Sequence, residues 1–249
     1  MQGDTSLVVD ATRKASRFLQ RDYFELENLQ ASDKKTTSFC QKSCTKAVQI
    51  LQENLSKYYK TVIFDAKELE GSNFFGKAAL VETMDGFGNF TRSLPFFAIM
   101  VTIVSKKNGE IIADRSVMNF PALGEIYYAE KGKGAWMDRY SSNVPGSSRV
   151  RVSGANNVKD ALIAVTGKNI EFAKKISSDI RILDSYTYSL IMLISGKVDI
   201  LICDERKISS KGVELFVLEA AGSVHRQNNL LIASNFMLHE KIKESLLVS

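Results

Sequence analysis

The spacing of apolar residues predicts that the chain begins with two helices. From residue 5 to residue 30 apolar side chains recur every three or four positions, which is the pattern of a helix with one buried face. The same pattern runs from 39 to 57, and the polar stretch 31–38 separates the two. We therefore expect two amphipathic helices joined by a short polar break.

Shorter apolar runs predict strands in the rest of the chain. Residues 61–64 and 78–81 are runs of this kind, and from 96 to 137 apolar segments alternate with turn signals at 107–110 and 131–134. Further on, strands are predicted at 149–152, 161–165, 180–183, 199–203 and 230–233, and helices at 171–178, 186–195, 209–221 and 238–247. This mixed order predicts a layered α+β fold.

A candidate boundary lies at residues 140–148, a stretch rich in Ser, Asn, Pro and Gly. It divides the chain into a predicted N-terminal α+β half, residues 1–145, and a predicted C-terminal α/β half, residues 146–249. The length of 249 residues suits two such halves packed as one globular unit.

The candidate chemistry follows the predicted strand at 78–81. Two carboxylates, Glu82 and Asp85, stand three residues apart and are followed by Gly86-Phe87-Gly88. Paired acids at the end of a strand suit a hard divalent cation such as Mg²⁺, which takes oxygen ligands. Glycines directly after them leave backbone N–H groups free to face an anion.

This stretch resembles the signature of the inositol monophosphatase family, which reads D-P-I-D-G-T-x-N-F and continues to a P-F/Y motif. Glu82, Met84 and Asp85 stand at the first Asp, the aliphatic position and the second Asp, and four residues match outright: Gly86, Asn89, Phe90 and Pro95. Residues 124–135, 218–222 and 232–235 resemble later motifs of the family in the same order. The bacterial extragenic-suppressor SuhB group is the nearest likeness by length. The resemblance implies a five-layered α-β-α-β-α sandwich of the inositol monophosphatase / fructose-1,6-bisphosphatase type, usually dimeric.

The resemblance also implies a reaction, the Mg²⁺-dependent hydrolysis of phosphate monoesters of the inositol 1-phosphate class. In this reaction the metal polarises the phosphate and lowers the pKa of the attacking water. The implied catalytic residues are Asp65, Glu82 and Asp85. The same carboxylates and the backbone carbonyl of Met84 would hold the metal, with Glu68 or Glu70 as alternatives to Asp65.

Two further sets of residues are assigned by the same likeness. The implied phosphate-binding residues are Gly86, Phe87 and Gly88. The implied substrate pocket consists of Asp184, Ser185 and Tyr186, where an acid and a bulky ring replace the small residues of the family.

Several departures from the family pattern predict a weakened catalytic site. Phe87 lacks the hydroxyl of the family's Thr, which helps to activate the water, and Cys44 stands at a supporting Asp. The family's late Asp falls on Ser209 or Ser210, depending on which flanking motif the count starts from. Because a neutral hydroxyl is a poor ligand for Mg²⁺, we expect metal binding to be weakened or absent and hydrolysis to be weak or lost.

Three functions stay open on these grounds. The first is a phosphatase that acts on a small phosphorylated polyol. The second is a candidate pseudoenzyme, a non-catalytic binding or regulatory protein, for example a partner in the transcription complexes of ribosomal RNA synthesis with which SuhB-like proteins are associated. The third is a sensor that binds nucleotides or inositol phosphates through residues 86–89.

Composition adds expectations about location and partners. The net charge of +5 comes from scattered basic residues, so a solvated surface is favoured over a nucleic-acid site. The longest apolar run, residues 95–104, is too short to span a membrane, and no basic segment precedes an apolar one at the N-terminus. Three cysteines without framework spacing fit a reducing cytoplasm. A homodimer is expected from the resemblance alone, and His225 and His239 are expected on the surface.

Overall fold

Two long helices open the chain, α1 (Gly3–Leu29) and α2 (Asp33–Leu55). The computed structural model describes residues 3–29, 33–140, 146–167, 169–206, 208–227 and 229–247. The second helix begins six residues earlier than the sequence predicts, so most of the polar stretch 31–38 is helical. Residues 33–38 are all polar in sequence, and Thr37 and Ser38 are exposed, which explains why this part of the helix carries no apolar signal.

The first half continues with a seven-stranded sheet in chain order. Its elements are β1 (Thr61–Ile63), α3 (Ala66–Gly71), β2 (Lys77–Asp85), α4 (Phe87–Thr91), β3 (Ala98–Lys107), β4 (Glu110–Phe120), β5 (Glu125–Glu130), β6 (Gly134–Arg139) and β7 (Ser147–Arg149). Strands β1 and β2 are parallel and the other neighbours are antiparallel. The register of β2 against β3 shifts between Glu82 and Asp85. Such an irregularity re-aims side chains, and here it falls on the candidate site.

The second half forms a five-stranded sheet in the order β11-β12-β10-β8-β9. Its elements are β8 (Ile163–Val165), α5 (Ile170–Lys174), β9 (Ile180–Ile182), α6 (Tyr186–Ile194), β10 (Ile200–Asp204), α7 (Ser210–Glu219), β11 (Gly222–Gln227), β12 (Leu230–Asn235) and α8 (Phe236–Leu247). Strands β9, β8 and β10 are parallel neighbours. Their carboxyl ends therefore lie at one edge of the sheet, where the residues after β9 and β10 come together.

The helices and sheets stack in five layers. Helices α1 and α2 pack on one face of the first sheet, and α6 and α7 fill the space between the two sheets. Helices α5 and α8 cover the outer face of the second sheet. Helix α7 approaches the first sheet closely at Gly212, because a Cβ there would lie 2.2 Å from Thr102 Oγ1. The predicted α-β-α-β-α arrangement is confirmed.

The division of the chain at residue 145 stays a prediction. Strand β7 pairs with β6, so the first sheet continues beyond this point to Arg149. The predicted strand at 149–152 begins instead at Ser147. Within the candidate boundary, residues 141–145 lie outside the described residues. No helix in the described ranges is long and apolar enough to cross a membrane.

The surface position expected for His239 is wrong. The side chain is 3% exposed, because it lies on the buried face of α8 together with Leu238 and Ile242. Its ring meets that of His225 on β11, with centroids 6.1 Å apart. The expectation of a surface position relied on the polar residues next to His239 in sequence. Burial in a helix depends instead on residues three and four positions away, which share one face.

Candidate functional site

The candidate site begins at the end of β2, where Glu82 and Asp85 are brought together. The side chain of Asp85 is 2% exposed and that of Glu82 is 23% exposed. Gly86 follows in the left-handed region at φ 78° and precedes the short helix α4. A Cβ on Gly86 would lie 2.2 Å from the backbone oxygen of Phe96, so both the conformation and the space require glycine.

Asp85 is tied to the start of α6 by three hydrogen bonds. Its Oδ2 accepts from the Ser185 hydroxyl at 2.7 Å, and from the backbone N–H and the hydroxyl of Thr187 at 2.8 Å each. The Ser185 Oγ also accepts from the backbone N–H of Tyr188 and so caps α6. A carboxylate of the first sheet therefore holds a helix of the second half in place.

The other oxygen of Asp85 is bound by Arg206, which lies two residues beyond β10. Arg206 Nη1 donates to Asp85 Oδ1 at 2.8 Å, and the same nitrogen is 3.6 Å from Glu82 Oε1. The guanidinium carbon lies 5.2 Å from the centre of the Tyr186 ring, within the range of a cation–π contact. One permanent positive charge thus faces two carboxylates.

The ionisation of these groups reflects their surroundings. Burial and the neighbouring Asp85 raise the pKa of Glu82, while Arg206 and the Ser209 hydroxyl lower it less. Burial lowers the pKa of Arg206, but Asp85 and Glu82 outweigh that effect and keep the group charged. Because an arginine side chain does not lose its proton in proteins, Arg206 is a fixed cation.

Ser209 is the serine that faces Glu82. Its side chain is 1% exposed, and its Oγ makes no hydrogen bond of normal length within the described part of the chain. It is nonetheless near enough to Glu82 to influence that carboxyl group. Ser210 begins α7 and is also buried. This geometry favours Ser209 over Ser210 as the residue that stands in the site.

Asp65 has a different local role. Its carboxylate accepts from the backbone N–H of Glu68 at 2.8 Å, and the Glu68 carboxylate accepts from the backbone N–H of Phe64 at 3.0 Å. These reciprocal bonds cap α3 in the manner of a capping box. Among the described residues no group of three or more His, Cys, Asp or Glu side chains could hold a metal ion. Asp65 therefore has a capping role of its own, and its assignment as a metal ligand stays a prediction.

The three residues assigned to the substrate pocket differ in solvent exposure. Ser185 and Tyr186 are each 1% exposed and face the interior, whereas Asp184 is exposed. Asp184 holds a left-handed backbone, φ 47°, and its carbonyl accepts from the Asn89 side chain at 3.3 Å. Its carboxylate lies 3.6 Å from where a Cβ on Gly88 would stand. Of these pocket residues, Asp184 alone presents a side chain to solvent beside α4.

A model of the inositol monophosphatase family matches residues 2–225 of the sequence. The chain belongs to the inositol monophosphatase family. Among relatives, it is 27% identical to an inositol-1-monophosphatase of Caulobacter vibrioides over 96% of this chain and 99% of that protein. It is 27% identical to the Nus factor SuhB of Escherichia coli over 165 residues, 65% of this chain. This second match spans 57% of the Escherichia coli protein, and a match to an inositol-1-monophosphatase of Rhizobium meliloti spans 56% of its length.

Solved structures of the inositol monophosphatase family have the same fold. The extragenic suppressor protein SuhB of Bartonella henselae superposes with a TM-score of 0.77 at 24% identity, covering 98% of this chain and 99% of that one. At this level of identity the likeness establishes the fold alone.

The magnesium ion that membership of the inositol monophosphatase family implies does not fit the residues present. An ionised carboxylate has about four acceptor positions, and Asp85 uses both oxygens for four protein hydrogen bonds. A guanidinium is already at the two carboxylates, and like charge excludes a metal ion from the same space. Of the side chains that the structure describes at this site, Glu82 and the neutral hydroxyl of Ser209 remain as oxygen donors. We therefore derive no chemical step through a metal.

Two acids at the end of β10, Asp204 and Glu205, do not add ligands to Glu82 and Asp85. Asp204 Oδ1 accepts from the Asn169 side chain at 3.0 Å, and Glu205 pairs with Arg226 at 2.8 Å. Both acids are thus engaged away from Glu82 and Asp85.

Sequence reasoning missed Arg206 and Thr187. Arg206 stands directly after these two acids, and a search for carboxylate ligands passes over a basic residue at that point. Thr187 lies within the first turn of α6, where a hydroxyl and a free backbone N–H both point toward an anion. The available signal was the N-terminus of this predicted helix.

Proposed function

We propose that this member of the inositol monophosphatase family has kept the fold, has lost metal-dependent phosphate ester hydrolysis, and works as a binding protein. The observation that carries the proposal is the state of Asp85. Its two oxygens are bound by Ser185, Thr187 and Arg206. A carboxylate committed to the protein's own donors is not available for a catalytic metal.

Other positions support the same proposal. Phe87 packs a partly buried aromatic ring against the core between the first sheet and helices α1 and α2, where the family's Thr would supply a hydroxyl. Ser209 stands in the site without a charge, and Asp65 caps α3. Catalytic groups of one site act as a unit, so the loss of one essential member already removes most of the activity.

The alternative is a weak, Mg²⁺-dependent phosphatase that acts on a small phosphorylated polyol such as inositol 1-phosphate. Its support is the succession of Glu82, Asp85 and Gly86 along the chain, which resembles the family signature. The names of the relatives from Caulobacter vibrioides and Rhizobium meliloti support it as well. On this alternative Arg206 would have to leave the carboxylates before a metal could bind.

The partner we propose is a protein of the transcription machinery, and the likeness to the Nus factor SuhB of Escherichia coli supports it. A homodimer and a cytoplasmic location belong to the same proposal. They follow from the family resemblance and from a composition with three free cysteines.

The test is the release of phosphate from inositol 1-phosphate by the full chain with millimolar Mg²⁺ or Mn²⁺. We expect no release from the wild type. A variant with three changes, Phe87→Thr, Ser209→Asp and Arg206→Gln, is the matched comparison, and Ser210→Asp in place of Ser209→Asp is its control. Wild-type turnover of about 1 s⁻¹ or more, which is ordinary for an enzyme, would overturn the proposal.

A further inference from the structure

The candidate site contains two carboxylates in close proximity and one cation from elsewhere in the chain. Glu82 and Asp85 lie on the same strand, and Arg206 comes from the second half of the molecule, 121 residues from Asp85. Within the described residues no second Lys or Arg forms an ion pair with either carboxylate. The charge balance of the site therefore depends on one side chain.

We propose that Arg206 is the resident cation of this site and competes with free divalent cations for Glu82 and Asp85. The inference deepens the proposed function and rests on it in one respect, the assignment of Asp85 to the chain's own donors. It adds that the exclusion of metals is an active property of one residue. Removal of this charge is expected to create a cation-binding site.

The position of Arg206 suits such a role. Its backbone is fixed, because its carbonyl accepts from the backbone N–H of Ser210 at 2.8 Å at the start of α7. Its side chain is 45% exposed, so the guanidinium contacts the carboxylates from the solvent-facing side of the site. A shorter neutral side chain at this position leaves the surrounding backbone contacts in place.

The surroundings of the guanidinium favour a cation over a neutral group. The Tyr186 ring at 5.2 Å attracts positive charge, and Asp85 is 2% exposed, so its ionised form needs a partner. A metal ion or an organic cation can satisfy this need once a neutral residue replaces Arg206. Oxygen atoms are the ligands that hard divalent cations take.

A second observation points to the same place. Ser209 Oγ is buried and makes no hydrogen bond of normal geometry among the described residues, yet it lies near enough to Glu82 to lower the pKa of that carboxyl group. Buried polar groups are normally satisfied, so an orphan hydroxyl next to a half-buried carboxylate marks a position that accepts another atom. Asp85 Oδ1, the carboxylate of Glu82 and Ser209 Oγ together supply the oxygen donors for a cation.

The experiment compares cation binding by the full chain and by an Arg206→Gln variant. Glutamine removes the charge and keeps a polar amide group on a shorter side chain. Terbium luminescence and calorimetric titration with Mn²⁺ report binding directly, without any need for turnover. We expect the variant to bind Mn²⁺ about tenfold or more tightly than the wild type, since a full positive charge a few ångströms from the carboxylates is gone.

Three controls make the result decisive. Arg226→Gln removes an arginine that pairs with Glu205 and Glu214 instead, and is expected to bind Mn²⁺ like the wild type. Arg206→Lys keeps the charge and is also expected to match the wild type. Adding Asp85→Asn to Arg206→Gln is expected to abolish the gained binding.

A folded Arg206→Gln variant that binds Mn²⁺ no more tightly than the wild type would overturn the inference. If the variant is unfolded on its own, we expect Mn²⁺ to restore its circular dichroism spectrum, and failure of this rescue would overturn the inference equally. Phosphate release by the wild type would contradict the proposed function without changing the comparison of Mn²⁺ affinities. The two ideas therefore fail separately.

Discussion

Arg206 Nη1 lies 2.8 Å from Asp85 Oδ1, and this contact joins the loop after β10 to the end of β2. On the other side of the same carboxylate, Ser185 and Thr187 join β2 to α6. Asp85 is therefore a junction of three segments that are far apart in sequence. Hydrogen bonds to a buried charge are stronger than those between neutral groups, so this junction contributes to the docking of the two halves.

Replacement of Gly86 by Ala is expected to lower the free energy of unfolding by about 2 kcal/mol or more. The cost has two sources, a left-handed backbone at φ 78° and a Cβ 2.2 Å from the Phe96 carbonyl oxygen. Urea denaturation followed by circular dichroism measures it. Gly88→Ala is the control, because nothing lies closer than 3.6 Å to its Cβ, and we expect a change within about 0.5 kcal/mol there.

Equal effects of these two substitutions would contradict the structural reason given for Gly86. The comparison also separates two roles, because the resemblance assigned both glycines to phosphate binding. The structure gives Gly86 a conformational requirement that Gly88 lacks.

Replacement of Ala221 by Gly is expected to stabilise the protein by about 1 kcal/mol. Ala221 follows α7 in the left-handed region at φ 63°, a conformation that costs an L-residue with a Cβ about this much. Ala220→Gly is the matched control. It sits at φ −88° with its methyl group fully buried, so we expect a loss of about 1 kcal/mol or more. No gain from Ala221→Gly in urea denaturation would show that the neighbouring backbone relaxes around the alanine.

His239 is expected to make stability depend on pH below neutrality. Burial, followed by the charges of Lys243 and His225, lowers the pKa of His239 from its ordinary value of 6.5, and Glu240 opposes this shift. The unfolded chain therefore binds a proton more readily, and the contribution of neutral His239 is present above that value and lost as the pH falls below it. We expect the urea midpoint to fall between about pH 7.5 and about pH 5.5 by more in the wild type than in His239→Gln. Equal falls in both proteins would contradict this assignment.

The sequence was sufficient for the fold and for one strand of the site. Helical spacing located α1, and the signature around Asp85 and Gly86 placed the candidate chemistry at the end of β2. These features depend on neighbours in sequence, so local patterns capture them. The start of α2 was missed because residues 33–38 are all polar.

The rest of the site depends on contacts that no local pattern records. Arg206 reaches Asp85 across 121 residues, and only the packing of the second sheet against α6 and α7 brings them together. Asp65 shows that a local contact can also be overlooked. Its carboxylate accepts a hydrogen bond from the backbone N–H of Glu68, whereas the resemblance assigned it to a metal site with Glu82 and Asp85. The spacing Asp65-x-x-Glu68 is itself a signature of helix capping and could have been recognised. Counting between motifs left Ser209 and Ser210 equivalent, since one residue of loop length decides between them.

The most direct test of the account is the stability of an Asp85→Asn variant. Ser185, Thr187 and Arg206 all donate hydrogen bonds to the Asp85 carboxylate. Asparagine removes the charge and replaces one acceptor oxygen with an NH₂ donor, so at least one of these bonds is lost. We expect the free energy of unfolding in urea, without added metal, to fall by about 2–4 kcal/mol, and that of Glu82→Gln by less than about 1 kcal/mol. Unchanged or increased stability of Asp85→Asn would contradict the account, because the carboxylate would then be held for an external cation and not for the protein's own donors.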